Sequence, residues 1–252
     1  MRYQAVLCDL GNTLLEYRLH GHWKAFLRQR LEEVHELVCA GTSASPVSPA
    51  VFVEQAVEVI GGEHARGLMH SGVSWHLADR FREVMQRLGM SCDDAHISRV
   101  MEEAYRPVRE STRPYPDTVE TLERLKSDRL RMAIISNTPF DGPGYLSHED
   151  MVKWGIESYF EATVFSGDLP WRKPHPEFMW EAARRLGVGR EECVVVGNDL
   201  ASDIAGANAA GMVSVWVDRD RSTGPEPWAT AQPDMTVETL TQAADYIERL
   251  NA

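Results

Sequence analysis

Five short runs along the chain are almost wholly apolar: residues 5–10, 132–136, 162–166, 193–197 and 213–217. They are rich in Val, Ile and Ala, and unbroken apolar character over so few residues fits strands covered on both faces. Segments of helical period lie between them. Residues 118–126 place Val119, Leu122 and Leu125 on one face, stretches 177–186 and 203–210 are similar, and a last helix falls near 237–250. Strand alternating with helix predicts a parallel sheet with right-handed crossovers and helices on both sides. The expected fold is α/β, with a three-layer αβα Rossmann-like core.

Residues 15–113 break the alternation. Helical patterns recur near 22–39, 49–60, 74–88 and 93–110, with no convincing strand among them. In the third, Trp75, Phe81, Val84 and Leu88 make a stripe suited to a local core. Residues 41–49 and Gly61-Gly62 are loops by composition, as are 139–144, and 219–233 read as a surface excursion. The expected organisation is a core of residues 1–14 and 114–252, with 15–113 inserted as an α-helical domain after the first strand. No internal repeat is visible.

Composition narrows the function classes. With 43% apolar residues in 252, the chain can bury a sizeable core, and its net charge of −12 argues against nucleic-acid or anionic-membrane partners. No apolar run approaches the ~20 residues of a membrane span. The opening Met1–Asp9 stretch lacks the form of a secretory leader, so a cytoplasmic protein is expected. The four cysteines (8, 39, 92 and 193) are scattered with no Cys-x-x-Cys pair, which fits free thiols in a reducing compartment. Only four of the 26 basic residues are Lys, at 24, 126, 153 and 173, which makes each worth locating.

In a doubly wound sheet, ligands bind beyond the carboxyl ends of the strands. Those ends carry Asp9, then Ser136-Asn137, then Lys173 a loop later, then Asn198-Asp199 with Asp203. A carboxylate nucleophile, a hydroxyl and ammonium for an anion, and oxygen donors for a hard cation are together equipment for phosphoryl transfer. Singly each has a plainer reading: Asp9 as a turn residue, Ser136-Asn137 as turn chemistry, Lys173 as a surface residue, Asp203 as a helix cap.

In four motifs, taken in order, the chain resembles the haloacid dehalogenase superfamily. They are Val6-Leu7-Cys8-Asp9-Leu10-Gly11-Asn12-Thr13-Leu14, Ala133-Ile134-Ile135-Ser136-Asn137 after a Tyr115-Pro116-Asp117 lead-in, Arg172-Lys173-Pro174-His175-Pro176, and Val196-Gly197-Asn198-Asp199 running on to Asp203. The resemblance covers nearly all of the core; 15–113 matches in position alone, as a helical cap placed after the first motif. It implies an Mg²⁺-dependent phosphatase of a small phosphorylated metabolite, working through an aspartyl phosphate, as a monomer or homodimer. Asp9 is the implied nucleophile and a metal ligand, Ser136 holds the phosphoryl group, and Lys173 bridges the two. Asn137, Asn12 and Thr13 are implied around the substrate. Asp199 is an implied Mg²⁺ ligand, supported by Asn198, Asp203 and the Gly11 carbonyl.

Gly11 departs from the pattern. Phosphatases of this superfamily usually carry a second Asp there, which protonates the leaving group and then activates water; such help is worth ~10²–10⁴ in rate. Nearby candidates to replace it are Glu16, His20 and His22, the two histidines also being candidate substrate contacts. If the position is simply empty, Gly11→Asp should speed hydrolysis of alkyl phosphates. Two rivals follow from the same departure: a metal-independent 2-haloacid dehalogenase, and a catalytically weakened binding protein. Against the first, its members usually have Tyr where Gly11 stands and another soon after the motif Lys, where this chain has Phe178.

Overall fold

The computed structural model describes residues 2–17, 23–40, 42, 47–61, 72–74, 76–138, 142–219 and 231–252. His20, His22 and Trp75 lie outside them. Six parallel strands form the central sheet: β1 (Ala5–Cys8), β4 (Arg131–Ser136), β5 (Ala162–Phe165), β6 (Cys193–Gly197), β7 (Val213–Val217) and β8 (Met235–Val237), in the order β5-β4-β1-β6-β7-β8. β1 sits between β4 and β6, with Ala5 level with Arg131 on one side and Cys193 on the other. The residues after β1, β4 and β6 therefore emerge side by side.

Alternation along each strand divides the interior in two. Val6, Cys8, Met132, Ile134, Val194 and Val196 face one apolar cluster, completed by α5 (Thr118–Ser127) and α9 (Leu240–Asn251). Ala5, Leu7, Ala133, Ile135 and Val195 face the other, against α7 (Pro176–Leu186) and α8 (Ala205–Ala210). This is the expected three-layer αβα architecture. The chain ends differ in detail: strand β8 precedes α9, where sequence periodicity suggests one helix from 237.

The described part of residues 15–113 is largely helical: α1 (Trp23–Ala40), α2 (Pro49–Gly61), α3 (Leu77–Arg87) and α4 (Asp94–Ser111). Leu31, Val34, Phe52, Phe81, Val84, Ile97 and Val100 build a separate apolar cluster from these helices. Two short strands that the pattern does not reveal, β2 (Leu15–Glu16) and β3 (Arg113–Pro114), pair antiparallel where the insertion leaves and rejoins the sheet domain. Two further contacts join the parts. Ser74 N donates to Pro170 O (3.1 Å), while Arg172 N donates to Gly72 O (2.8 Å). On α4, Tyr105 and Val108 pack on Leu146 of α6 (Gly144–Lys153). Among the described residues, no helix is long and apolar enough to cross a membrane.

Candidate active site

The loop after β1 turns at once. Leu14 and Leu15 amides donate back to Leu10 O (3.0 and 2.9 Å), Asn12 takes a left-handed φ of 59°, and Asp9 N donates to Val196 O (2.9 Å). Asp9 is thereby held, 5% exposed, at the carboxyl edge of the sheet. Thr13 Oγ1 donates to Asp9 Oδ2 at 2.8 Å, with the Asn198 side chain 3.1 Å from the same hydroxyl.

Lys173 reaches Asp9 from the opposite side. Its buried ammonium donates to Asp9 Oδ1 (2.6 Å), Asp203 Oδ1 (2.6 Å) and Ile135 O (2.9 Å), which accounts for all three of its protons. Burial pulls the Lys173 pKa down, but Asp203 and Asp9 outweigh it and the net shift is upward, so the group stays charged. Asn137 fixes the segment by bonding both backbone polar groups of Lys173: its Nδ2 donates to Lys173 O (3.1 Å) and its Oδ1 accepts from Lys173 N (2.9 Å).

A wide turn after β6 brings in the remaining acids. Asp199 Oδ1 accepts from the amides of Ala201 (2.7 Å) and Ser202 (3.2 Å), while Asp203 Oδ2 accepts from Asp199 N (3.0 Å). Asp199, rather than Asp203, is therefore the cap of this turn; Asp203 spends its oxygens on Lys173 and the loop. Asp203 is pushed up to about 7, chiefly by burial and then by Asp9 and Asp199, against the pull of Lys173. One ammonium faces two carboxylates, Asp9 and Asp203, and a third, Asp199, acts on Asp203 from the same loop.

That imbalance tests the implied cation. Among the described residues the donors at hand are carboxylates, an amide and the Gly11 carbonyl, with no thiolate or imidazole, which is the chemistry of Mg²⁺. Asp9 and Asp203 each already serve Lys173, and among the described residues no three His, Cys, Asp or Glu side chains converge as a closed metal cluster. The donors fit a hard cation that draws its other ligands from water or phosphate oxygens.

Ser136, 5% exposed, ends β4 beside Asp9. Asn12 Oδ1 is occupied by Tyr17 N (3.0 Å), which places its amide in the loop itself. Glu16 takes Arg113 Nε at 2.9 Å across the β2–β3 ribbon. Phe178 is fully buried behind the sheet. Arg219, just beyond β7, was not singled out by its sequence. Its Nη2 donates to Thr13 O and to Asp117 Oδ1, each at 3.1 Å, and its guanidinium lies over the Tyr115 ring. A polar residue at a strand end is the one signal that points to it.

Sheet order and strand-end chemistry thus define an α/β enzyme that sets a buried ammonium against its first-strand carboxylate. Residues 3–211 match the haloacid dehalogenase-like hydrolase family, and the chain belongs to it. A glyceraldehyde 3-phosphate phosphatase of Methanopyrus kandleri is 26% identical over 250 residues, 98% of each chain. A phosphoserine phosphatase of Thermus thermophilus is 32% identical over 161 residues, 64% of this chain and 60% of its own. In fold, the chain is similar to the crystal structure of a 2-haloacid dehalogenase from Pseudomonas syringae, with a TM-score of 0.65, 20% identity, and coverage of 98% and 99%.

Proposed function

We propose that this hydrolase is an Mg²⁺-dependent phosphatase of a small phosphorylated metabolite, with residues 15–113 acting as a cap over the substrate. The observation that carries the reading is the excess of carboxylate over ammonium around Lys173, which calls for a hard cation beside a phosphoryl group. The two phosphatase relatives support the same class, and their two substrate types differ enough that neither transfers directly.

Asp9 attacks phosphorus in this scheme. An O–P bond forms to its carboxylate, and the ester P–O bond breaks with its electron pair passing to the leaving oxygen. Water then adds to the phosphorus of the aspartyl phosphate, releasing inorganic phosphate and restoring Asp9. Lys173 neutralises charge shared between Asp9 and the phosphoryl oxygens, Ser136 donates to the phosphoryl group, and Thr13 orients Asp9. Asn137 positions Lys173 through its backbone. When bound by Asp9, Asp199 and the Gly11 carbonyl, with Asn198 and Asp203 in support, Mg²⁺ supplies positive charge against the phosphoryl oxygens.

The test is a panel of phosphorylated metabolites that includes glyceraldehyde 3-phosphate and phosphoserine, run with Mg²⁺ and with EDTA. Release of phosphate that needs Mg²⁺ and vanishes in Asp9→Asn supports the reading. Turnover of chloroacetate in EDTA, with no phosphate released from any ester, overturns it in favour of attack on carbon. An inert protein across both panels leaves the weakened binding protein instead.

A further inference from the structure

Position 11 is not vacant space. A Cβ added to Gly11 would lie 3.3 Å from both Cδ2 and Cε2 of Tyr17, inside the usual ~3.5–4.0 Å of carbon contacts. The backbone is no obstacle, because Gly11 is not among the residues with left-handed φ. Among the described residues, what meets a Cβ there is the edge of one aromatic ring.

That ring is held on several sides. Tyr17 N donates to Asn12 Oδ1 (3.0 Å), and the phenol donates to Asp150 Oδ2 (3.2 Å), which also accepts from Tyr105 OH (2.6 Å). The ring packs with Tyr105, Val108 and Leu146. Arg109 Nε lies 3.6 Å from the other Asp150 oxygen. Tyr17 follows β2 directly, Tyr105 and Arg109 belong to α4, and Asp150 belongs to α6, so one cluster ties the linker, the insertion and the sheet domain together.

We propose that Tyr17 is a positioning residue whose ring takes the volume an acid at position 11 would need, so that the nucleophile loop carries no proton donor for the leaving group. The catalytic half of this inference rests on the phosphatase reading; the packing half does not. Tyr17 does not replace the acid. Its proton is engaged by Asp150, and burial, then Tyr105 and Asp150, hold the phenol well above its ordinary pKa. The leaving oxygen departs with the electron pair of the P–O bond and, with no acid beyond Asp9 among the described residues of the loop, takes its proton from water. Esters with acidic leaving groups are favoured, and the joint that seats the insertion also sets the loop bearing Asp9.

The packing half is tested by urea unfolding without metal or substrate. Gly11→Ala should lower the midpoint in wild type and in Tyr17→Phe, which keeps the ring, but leave it unchanged or raise it in Tyr17→Leu. Tyr17→Met makes the same comparison should Tyr17→Leu not fold. An equal effect of Gly11→Ala in all backgrounds overturns the inference. The catalytic half compares p-nitrophenyl phosphate with glycerol phosphate. Gly11→Asp alone should slow both at least tenfold, whereas Gly11→Asp with Tyr17→Leu should raise the alkyl-to-aryl rate ratio at least tenfold over wild type. Faster alkyl hydrolysis by Gly11→Asp alone overturns the inference. Failure of wild type to cleave any phosphate ester would end the phosphatase reading, and the unfolding comparison would still decide the packing half.

Discussion

Lys173 is buried between two carboxylates and a carbonyl, and its removal exposes what it balances. Lys173→Met leaves Asp9 and Asp203 desolvated without a counter-charge. Breaking a buried ion pair from one side costs about 3–5 kcal/mol. Urea unfolding of the variant should show a loss of that order together with loss of phosphate release; unchanged stability would mean that water or a cation already satisfies the two acids. Arg219 supports a subtler expectation. Arg219→Met removes the donor to Thr13 O and one side of the Asp117 pair, so a loss of about 1–3 kcal/mol is expected. Its rate should fall through kcat, because the Thr13 turn holds Asp9, the proposed nucleophile; a change in KM alone would count against that. Asp9 and Lys173 were legible in the sequence because they stand in ordered motifs at strand ends. Tyr17, Asp150 and Arg219 were not, because each works through partners distant in sequence, such as the 206 positions between Arg219 and Thr13.

At the scale of elements, the turn after β6 depends on a residue with no side chain. A Cβ at Gly197 would lie 2.3 Å from Asp203 Oδ2 and 2.4 Å from its Cγ. Asp203 cannot move aside without leaving Lys173 and the Asp199 amide. Gly197→Ala should therefore destabilise by about 1–3 kcal/mol through overpacking and abolish turnover, as initial rates and unfolding would show. Full activity in this variant would mean that Asp203 is dispensable. The five long strands were readable because burial on both faces leaves an apolar run. The strands of two or three residues, β2, β3 and β8, are below any periodic signal. Helix α6 escaped for another reason: its buried face comprises Leu146, Ser147, Asp150 and Met151, so half of its helical period is written in polar residues. Residues 203–210, expected as one helix, instead begin inside the wide turn Leu200–Ile204 that delivers Asp203 to Lys173.

For the whole molecule, one of the contacts between the helical segment and the sheet side is built on a buried acid. Asp150 is fully buried, and burial raises its pKa even though Tyr105, Tyr17, Arg109 and Lys153 all pull it down. In the unfolded chain the same carboxyl titrates near ~3.9. Between that value and its raised one, the folded protein binds more protons than the unfolded chain, so this group's contribution to stability falls as pH rises. Asp150→Asn keeps the size and an acceptor for both phenols but cannot ionise. Subtracting the two unfolding curves cancels every other titrating group. The variant should therefore gain on wild type as pH goes from 4 to 7, measured by urea unfolding at each pH. A wild type that gains instead would show that Arg109 and the two phenols more than offset burial, making the joint between the two parts an ion pair rather than a neutral hydrogen-bonded cluster. Net charge, at −12, says only that such a protein avoids polyanions. Which of its acids are buried and penalised depends on contacts between parts of the chain that no local pattern encodes.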